Sequence, residues 1–266
     1  MTLFKTILII KIGDNMKIRK SVLKTLNLIL TLVCIAGIVY SGYHIIEWYK
    51  NTQENNNLKN ELSKSIEVVK GKKTDDEKIN IDFENLKQQN PDTVAYIKVK
   101  NTNIDYIVVR GQDNSYYLKH NFNKEWNIAG WIFADYKNRL DDTDRNIVVF
   151  GHDTKDGSMF GTLKETQNIE WQEKKDNQII DFVTEMGQYK YQIFSTYIVE
   201  PEEYYINTNF ISVEEYKEFV NTIKVRSTYD YKVEVNENDK ILTLSSCTPN
   251  GTKRVVVHAK RLENSK

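Results

Sequence analysis

Cysteine, proline and net charge are all scarce in this chain, and each shortage closes off a class of explanation. The 266 residues hold two cysteines, Cys34 and Cys247. Cys34 sits inside an apolar run and cannot meet Cys247 within a folded soluble domain, so no disulfide framework is available and Cys247 is a free thiol. Two cysteines and four histidines do not take up zinc-ligand spacing, and no metal or cofactor is expected. With three prolines, the chain has no Pro-rich linker, and it shows no Gly/Ser linker, internal repeat or low-complexity tract. Lys+Arg and Asp+Glu balance at 37 each, which removes the basic stripe that nucleic acid requires.

What the chain does have, first, is a long uncharged run, LNLILTLVCIAGIVYSGYHII, at 26–46. At a rise of about 1.5 Å per residue such a helix spans the roughly 30 Å hydrocarbon core of a bilayer. Lys17, Arg19, Lys20 and Lys24 precede it, and the flank behind it is mixed. The positive-inside rule then keeps 1–25 in the cytoplasm and puts everything after the run outside the cell membrane. A cleaved signal peptide is the rival, but its apolar core is usually shorter and no small-x-small site follows. Met16 is an alternative start. Residues 47–78 read as a polar stalk or helical linker, with Leu58, Leu62, Ile66 and Val69 at helix-face spacing. The remaining 79–266 form the extracytoplasmic domain.

That domain reads as mainly β. Phe83 and Leu86 suggest a short helix ended by Pro91. Strand-like runs follow at 93–99, 103–109, 129–134, 146–150, 178–183, 189–199, 240–246 and 254–260. About eight short strands with turn residues between them predict a closed barrel or sandwich. One helix interrupts them before the last two strands: Ser212 followed by Glu215 makes a capping box. Val213, Tyr216, Phe219, Val220 and Ile223 line one face, expected to cover an open end of the barrel.

Chemistry concentrates at three strand ends. Cys247 closes KILTLSSC, His152 follows NIVVF in FGHD, and Arg254 opens RVVVHAK. A thiolate attacks a carbonyl far better than a thiol, and a nearby imidazole and guanidinium favour it. The imidazole can protonate a departing amine, and the guanidinium suits a developing oxyanion. Each residue has a plainer reading, as a buried small apolar group, a solvated loop histidine and a surface cation. His258 competes as an imidazole, but strand parity puts it mid-strand in a structural role. His120 and His44 lack a matching context.

TLSSC, a strand-opening Arg shortly behind it and a Gly-His about 95 residues earlier together resemble the sortases. These are membrane-anchored cysteine transpeptidases of Gram-positive bacteria. The resemblance covers roughly 83–262. NPDTVAYI (90–97), GQDNSYYLKHNF (111–122) and WIFAD (131–135) are most similar to class B members. It implies a sortase-like barrel in which Cys247 is nucleophile, His152 acid/base and Arg254 oxyanion support. It further implies a sorting-signal groove lined by Asn114, Leu118 and Ser245, with Tyr205 and Ile206 on the loop that carries the helix. The implied reaction cleaves a C-terminal sorting motif of secreted proteins after Thr and passes the acyl group to a peptidoglycan amine. Ser246 stands where Thr is usual, Thr248 where some members carry an acid, and the Cys–Arg connection is short. A pilus-type sortase joining subunits, a wall cysteine peptidase and a membrane-tethered binding protein with an inert thiol are the alternatives.

Overall fold

The computed structural model of this chain describes residues 20–70, 77–247 and 251–263, without the side chains of 20–23, Lys70 and Cys247. Met16, the basic flank at Lys17 and Arg19, and the turn at Pro249 lie outside these residues. The chain divides into two compact units, Met1–Lys50 and Asn51–Lys266.

Helix α1 (Lys20–Leu62) carries the 26–46 run, and Leu26, Leu30, Val33 and Ile38 are exposed on several of its faces. Among the described residues it is the one helix long and apolar enough to cross a membrane, judged by length and composition. From Asn51 onward its character changes, because Asn55, Leu58 and Leu62 recur at three- and four-residue spacing and are buried. Asn55 Nδ2 donates to Asn127 Oδ1 at 3.1 Å and to Gly130 O at 3.2 Å. Lys59 Nζ donates to Asn103 O at 2.8 Å.

The helix face predicted to continue through Ile66 and Val69 stops at Leu62. Those two residues belong to β1 (Ile66–Lys70), paired antiparallel with β2 (Glu77–Ile81). The β-branched run IEVV fits a pleated ladder better than a helix, and the partner strand decides between the two. Helix α2 (Phe83–Gln89) follows, capped by Asp82, whose carboxylate accepts from Asn85 N at 3.0 Å; it stops at Asn90, before Pro91.

The remaining strands are β3 (Thr93–Val99), β4 (Asp105–Val109), β5 (Phe133–Ala134), β6 (Asn146–Gly151), β7 (Ile179–Thr184) and β8 (Gly187–Val199), then β9 (Ile241–Cys247) and β10 (Arg254–Arg261). A four-residue helix, α3 (Ile169–Gln172), precedes β7, and α4 (Val213–Val225) precedes β9. These eight strands close a barrel in the order β10-β8-β7-β3-β4-β5-β6-β9, as the eight strand-like runs predict. Pairing is antiparallel except at β4–β5 and β6–β9. Ile97, Val108, Val149, Leu242, Leu244, Val255 and Val257 are buried in the main core.

Two elements differ from the reading of the sequence. The run at 129–134 yields only two strand residues, because Gly130 turns the chain at φ +57 and Trp131 N donates to Tyr117 O instead of to a neighbouring strand. Helix α4 does not cover an open end. Its Tyr216, Phe219, Val220 and Ile223 pack with Phe194 of β8 and Ile241 of β9. Leu242 and Leu244 belong to the main core, so strand alternation puts Ile241 on the barrel's outer face. Tyr216 Oη fastens the helix, its one hydrogen directed between Asp239 O at 2.6 Å and Arg145 O at 2.9 Å.

Half of the expected capping box forms at α4: Glu215 N donates to the N-cap Ser212 Oγ at 3.1 Å, while Glu215 Oε2 accepts at 2.7 Å from Ile211 N, one residue before the cap, instead of from Ser212 N. Ser212→Ala is expected to cost about 1 kcal/mol of unfolding free energy, read as a lower urea midpoint with an unchanged slope.

Candidate active site

Strand β6 runs parallel to β9 with Gly151 opposite Ser246. The next residues in the chain are therefore His152, just past the end of β6, and Cys247, the last residue of β9. Strand β10 returns antiparallel on the far side of β9, with Arg254 opposite Cys247. Neighbouring strands lie about 4.8 Å apart. The backbone thus brings His152, Cys247 and Arg254 to one edge of three consecutive strands, with the cysteine in the middle.

The glycine of FGH has a packing reason. A Cβ on Gly151 would stand 2.5 Å from Ile132 Cδ1 and 2.7 Å from the Phe160 ring. Strand β6 can reach the site at this height only with no side chain at that position. Just beyond, Phe160 N donates to His152 O at 2.9 Å, so the histidine backbone is pinned from the loop that follows it.

The His152 ring is half-buried, with Nε2 2.8 Å from Leu118 O. A carbonyl only accepts, so Nε2 carries hydrogen in this arrangement and Nδ1 is the nitrogen left to take or give a proton. Leu118 therefore enters the site through its backbone, a role its side chain does not announce. Gly130 packs so closely beneath this carbonyl that an added Cβ would lie 2.3 Å from Tyr117 O and 2.8 Å from Leu118 O.

Asp153, the neighbour of His152 in FGHD, has a buried side chain. Its side chain is only 3% exposed, and its carboxylate faces Lys164 Nζ at 3.5 Å. Neither oxygen has a hydrogen bond among the described residues. Burial holds this carboxyl above the usual carboxylate range, with Lys164 pulling the other way. Nothing in the residue pattern signals this burial, because it depends on the 154–158 turn folding back to bridge Asp153 with Met159.

Arg254 Nη1 donates to Lys253 O at 3.1 Å and Gly251 O at 3.3 Å, which uses one terminal nitrogen of a five-donor fork. Ser245, two residues before the cysteine and on the same strand face, is buried opposite Val256. Tyr205 and Ile206 lie in a short 3-10 turn (Tyr204–Ile206) that packs on Tyr197 and Val256. Ser245, Tyr205 and Ile206 are thus gathered around Val256, next to Arg254 on the outer face. Asn114 is held separately, its Nδ2 donating to Asp135 Oδ2 at 2.8 Å and its Oδ1 accepting from Tyr136 N at 3.1 Å.

His258, the competing imidazole, is fully buried between Tyr197 and Thr243, and burial pushes its pKa down to about 3. His120 stacks on Tyr116 with ring centres 4.0 Å apart. His44 lies within α1, 3.4 Å from Glu47.

Comparison with known proteins agrees with this architecture. The sortase domain family matches residues 97–262. Sortase B of Staphylococcus aureus (strain NCTC 8325 / PS 47) is 32% identical over 241 residues, covering 89% of this chain and 97% of that protein. The X-ray structure of Clostridium perfringens sortase B is 38% identical, with a TM-score of 0.64 over 68% of this chain and 100% of the other. A Staphylococcus aureus sortase B–substrate complex is 34% identical, with a TM-score of 0.64 over 69% of this chain and 85% of that one. A thiol-bearing strand end on a closed eight-stranded barrel, matched along most of its length by these relatives, makes the chain a member of the sortase family, a cysteine transpeptidase of class B.

Proposed function

We propose that this transpeptidase acts on secreted proteins that carry a C-terminal sorting motif, with Cys247, His152 and Arg254 as its catalytic residues. The observation that carries the reading is the strand register: Gly151 opposite Ser246 and Cys247 opposite Arg254 put all three residues at one barrel edge. The Cys247 thiolate attacks the carbonyl of the motif's Thr, forming the C–S bond and pushing charge onto oxygen beside the Arg254 guanidinium. Collapse of that intermediate breaks the C–N bond. His152 gives the leaving amine its proton from Nδ1, and a thioester remains. An amine of a peptidoglycan precursor then attacks the thioester, returns a proton to His152 and releases the thiolate. Asn114, Leu118, Ser245, Tyr205 and Ile206 are the proposed contacts of the motif. That a Staphylococcus aureus sortase B, 34% identical to this chain, forms a substrate complex supports a substrate-binding role for this fold.

The same reading makes the 26–46 segment the membrane anchor, with 1–25 cytoplasmic and the catalytic domain outside the cell. It is supported by the apolar, unburied helix and by the basic residues ahead of it.

Internally quenched Asn-Pro-x-Thr peptides, with x randomised, and Pro-rich Thr-Gly peptides test the reaction. Cys247→Ala is expected to abolish cleavage, and retained turnover in that variant eliminates the mechanism. Arg254→Ala is expected to lower kcat by about 10² or more with an unchanged melting temperature; a near-wild-type rate moves the oxyanion role elsewhere. Gly130→Ala forces the Leu118 carbonyl away from His152 and is expected to lower kcat by about 10–100-fold. Unaltered kcat in that variant shows that His152 works without this anchor.

A further inference from the structure

A path of hydrogen bonds, closed into a ring by the backbone of 204–207, lies behind the site on the outer face of the barrel, and its direction can be worked out atom by atom. Asn146, at the start of β6, has its side-chain amide 2.9 Å from Asn207 O and 3.4 Å from Tyr205 O. Two carbonyls can only accept, so Asn146 presents Nδ2 to them and Oδ1 to Thr243. Thr243 Oγ1 donates its one hydrogen to that Oδ1 at 2.7 Å. Its contact with His258 Nδ1 at 2.8 Å must then be one in which Thr243 accepts, so Nδ1 carries hydrogen.

The other side of the imidazole follows. Its pKa, held near 3 by burial, keeps the ring neutral, and Nε2 accepts from Tyr197 Oη at 2.8 Å. Tyr197 Oη accepts in turn from Tyr204 Oη at 2.8 Å. The Arg226 guanidinium lies over the Tyr204 ring at 4.3 Å and pairs with Glu202 at 3.2 Å. The chain begins on the side chain of Tyr204 and ends on the carbonyls of Tyr205 and Asn207. Every bond runs in the same sense. Both ends belong to one four-residue segment, while the middle is supplied by β6, β9, β10 and β8.

Resting on the reading of Tyr205 and Ile206 as substrate contacts, we propose that the ring Asn146–Thr243–His258–Tyr197–Tyr204 sets the position of the 204–207 wall over Ser245 and Arg254, which makes His258 and Tyr197 positioning residues for substrate binding. Neither touches the reacting atoms. Apolar packing of Tyr205 on Tyr197 and Val256 holds the segment against the barrel without choosing its height, because such contacts are non-directional. A one-directional ring with a single neutral tautomer allows one height only.

The test uses the full chain in detergent, with Tyr197→Phe as the main variant and Tyr204→Phe as a second that leaves His258 itself undisturbed. Tyr197→Phe is expected to speed amide hydrogen exchange across 203–210 and to raise KM for quenched Asn-Pro-x-Thr peptides, each by about tenfold, with kcat changed less than about twofold. Tyr204→Phe is expected to do the same to a smaller degree. Nitrogen NMR of the imidazole is expected to find hydrogen on Nδ1 of His258. Unchanged exchange at 203–210 in both variants overturns the proposal, as does hydrogen on Nε2. Faster exchange with an unchanged KM overturns the link to substrate, and so does a fall in kcat alone. A wild-type chain that cleaves none of these peptides counts against the proposed reaction, while exchange and the imidazole spectrum still decide the ring.

Discussion

A parallel ladder joins β6 to β9, and its register determines that His152 falls beside Cys247. Six consecutive residue pairs, from Asn146 with Ile241 to Gly151 with Ser246, bring the end of one strand level with the end of the other. A shift of one residue would turn Leu242 and Leu244 out of the core and carry His152 past Cys247. The buried side chains of β9 therefore enforce the site geometry as a by-product of packing. Gly151 is the one residue on β6 that answers to both demands, because the fit against Ile132 and Phe160 leaves no room for a Cβ.

The two faces of β9 and β10 do different work. Leu242, Leu244, Val255 and Val257 face the core, where their burial supplies non-directional stabilisation. Thr243, Ser245, Val256 and His258 face outward, yet they are as fully enclosed as the core because the 204–207 segment and α4 lie over them. A buried polar group without a partner costs roughly 1–3 kcal/mol, so this second layer is workable only because its polar atoms satisfy one another. The outer face thus gains definition from hydrogen bonds where the inner face gains it from volume.

Much of this was legible in the residues. The alternation in TVAYIKV and KILTLSS predicts strands found at 93–99 and 241–247, and the Ser212–Glu215 pair marks the start of α4. Cys247, His152 and Arg254 stood out because a thiol, an imidazole and a guanidinium each sat at a strand boundary. What escaped depends on closure. The run AGWIFA looks extended until Gly130 is seen turning beneath Leu118, and Val69 looks helical until β2 is available to pair with it. The depth of Asp153 depends on a loop folding back, and Leu118 contributes a main-chain oxygen that no side-chain pattern can advertise. Likewise His258 was legible as structural from parity, whereas the ring it completes needs four strands and a loop to be in place.

The seam between β6 and β9 joins stretches separated by about 95 positions of chain, and such distant pairings come late because the intervening loop must first be closed. Until that happens Cys247 has no imidazole beside it. On the proposed assignment of Cys247, a newly made polypeptide would therefore carry its thiol harmlessly past other proteins, and reactivity would arrive as a property of the finished barrel, in effect a safety catch released by folding itself.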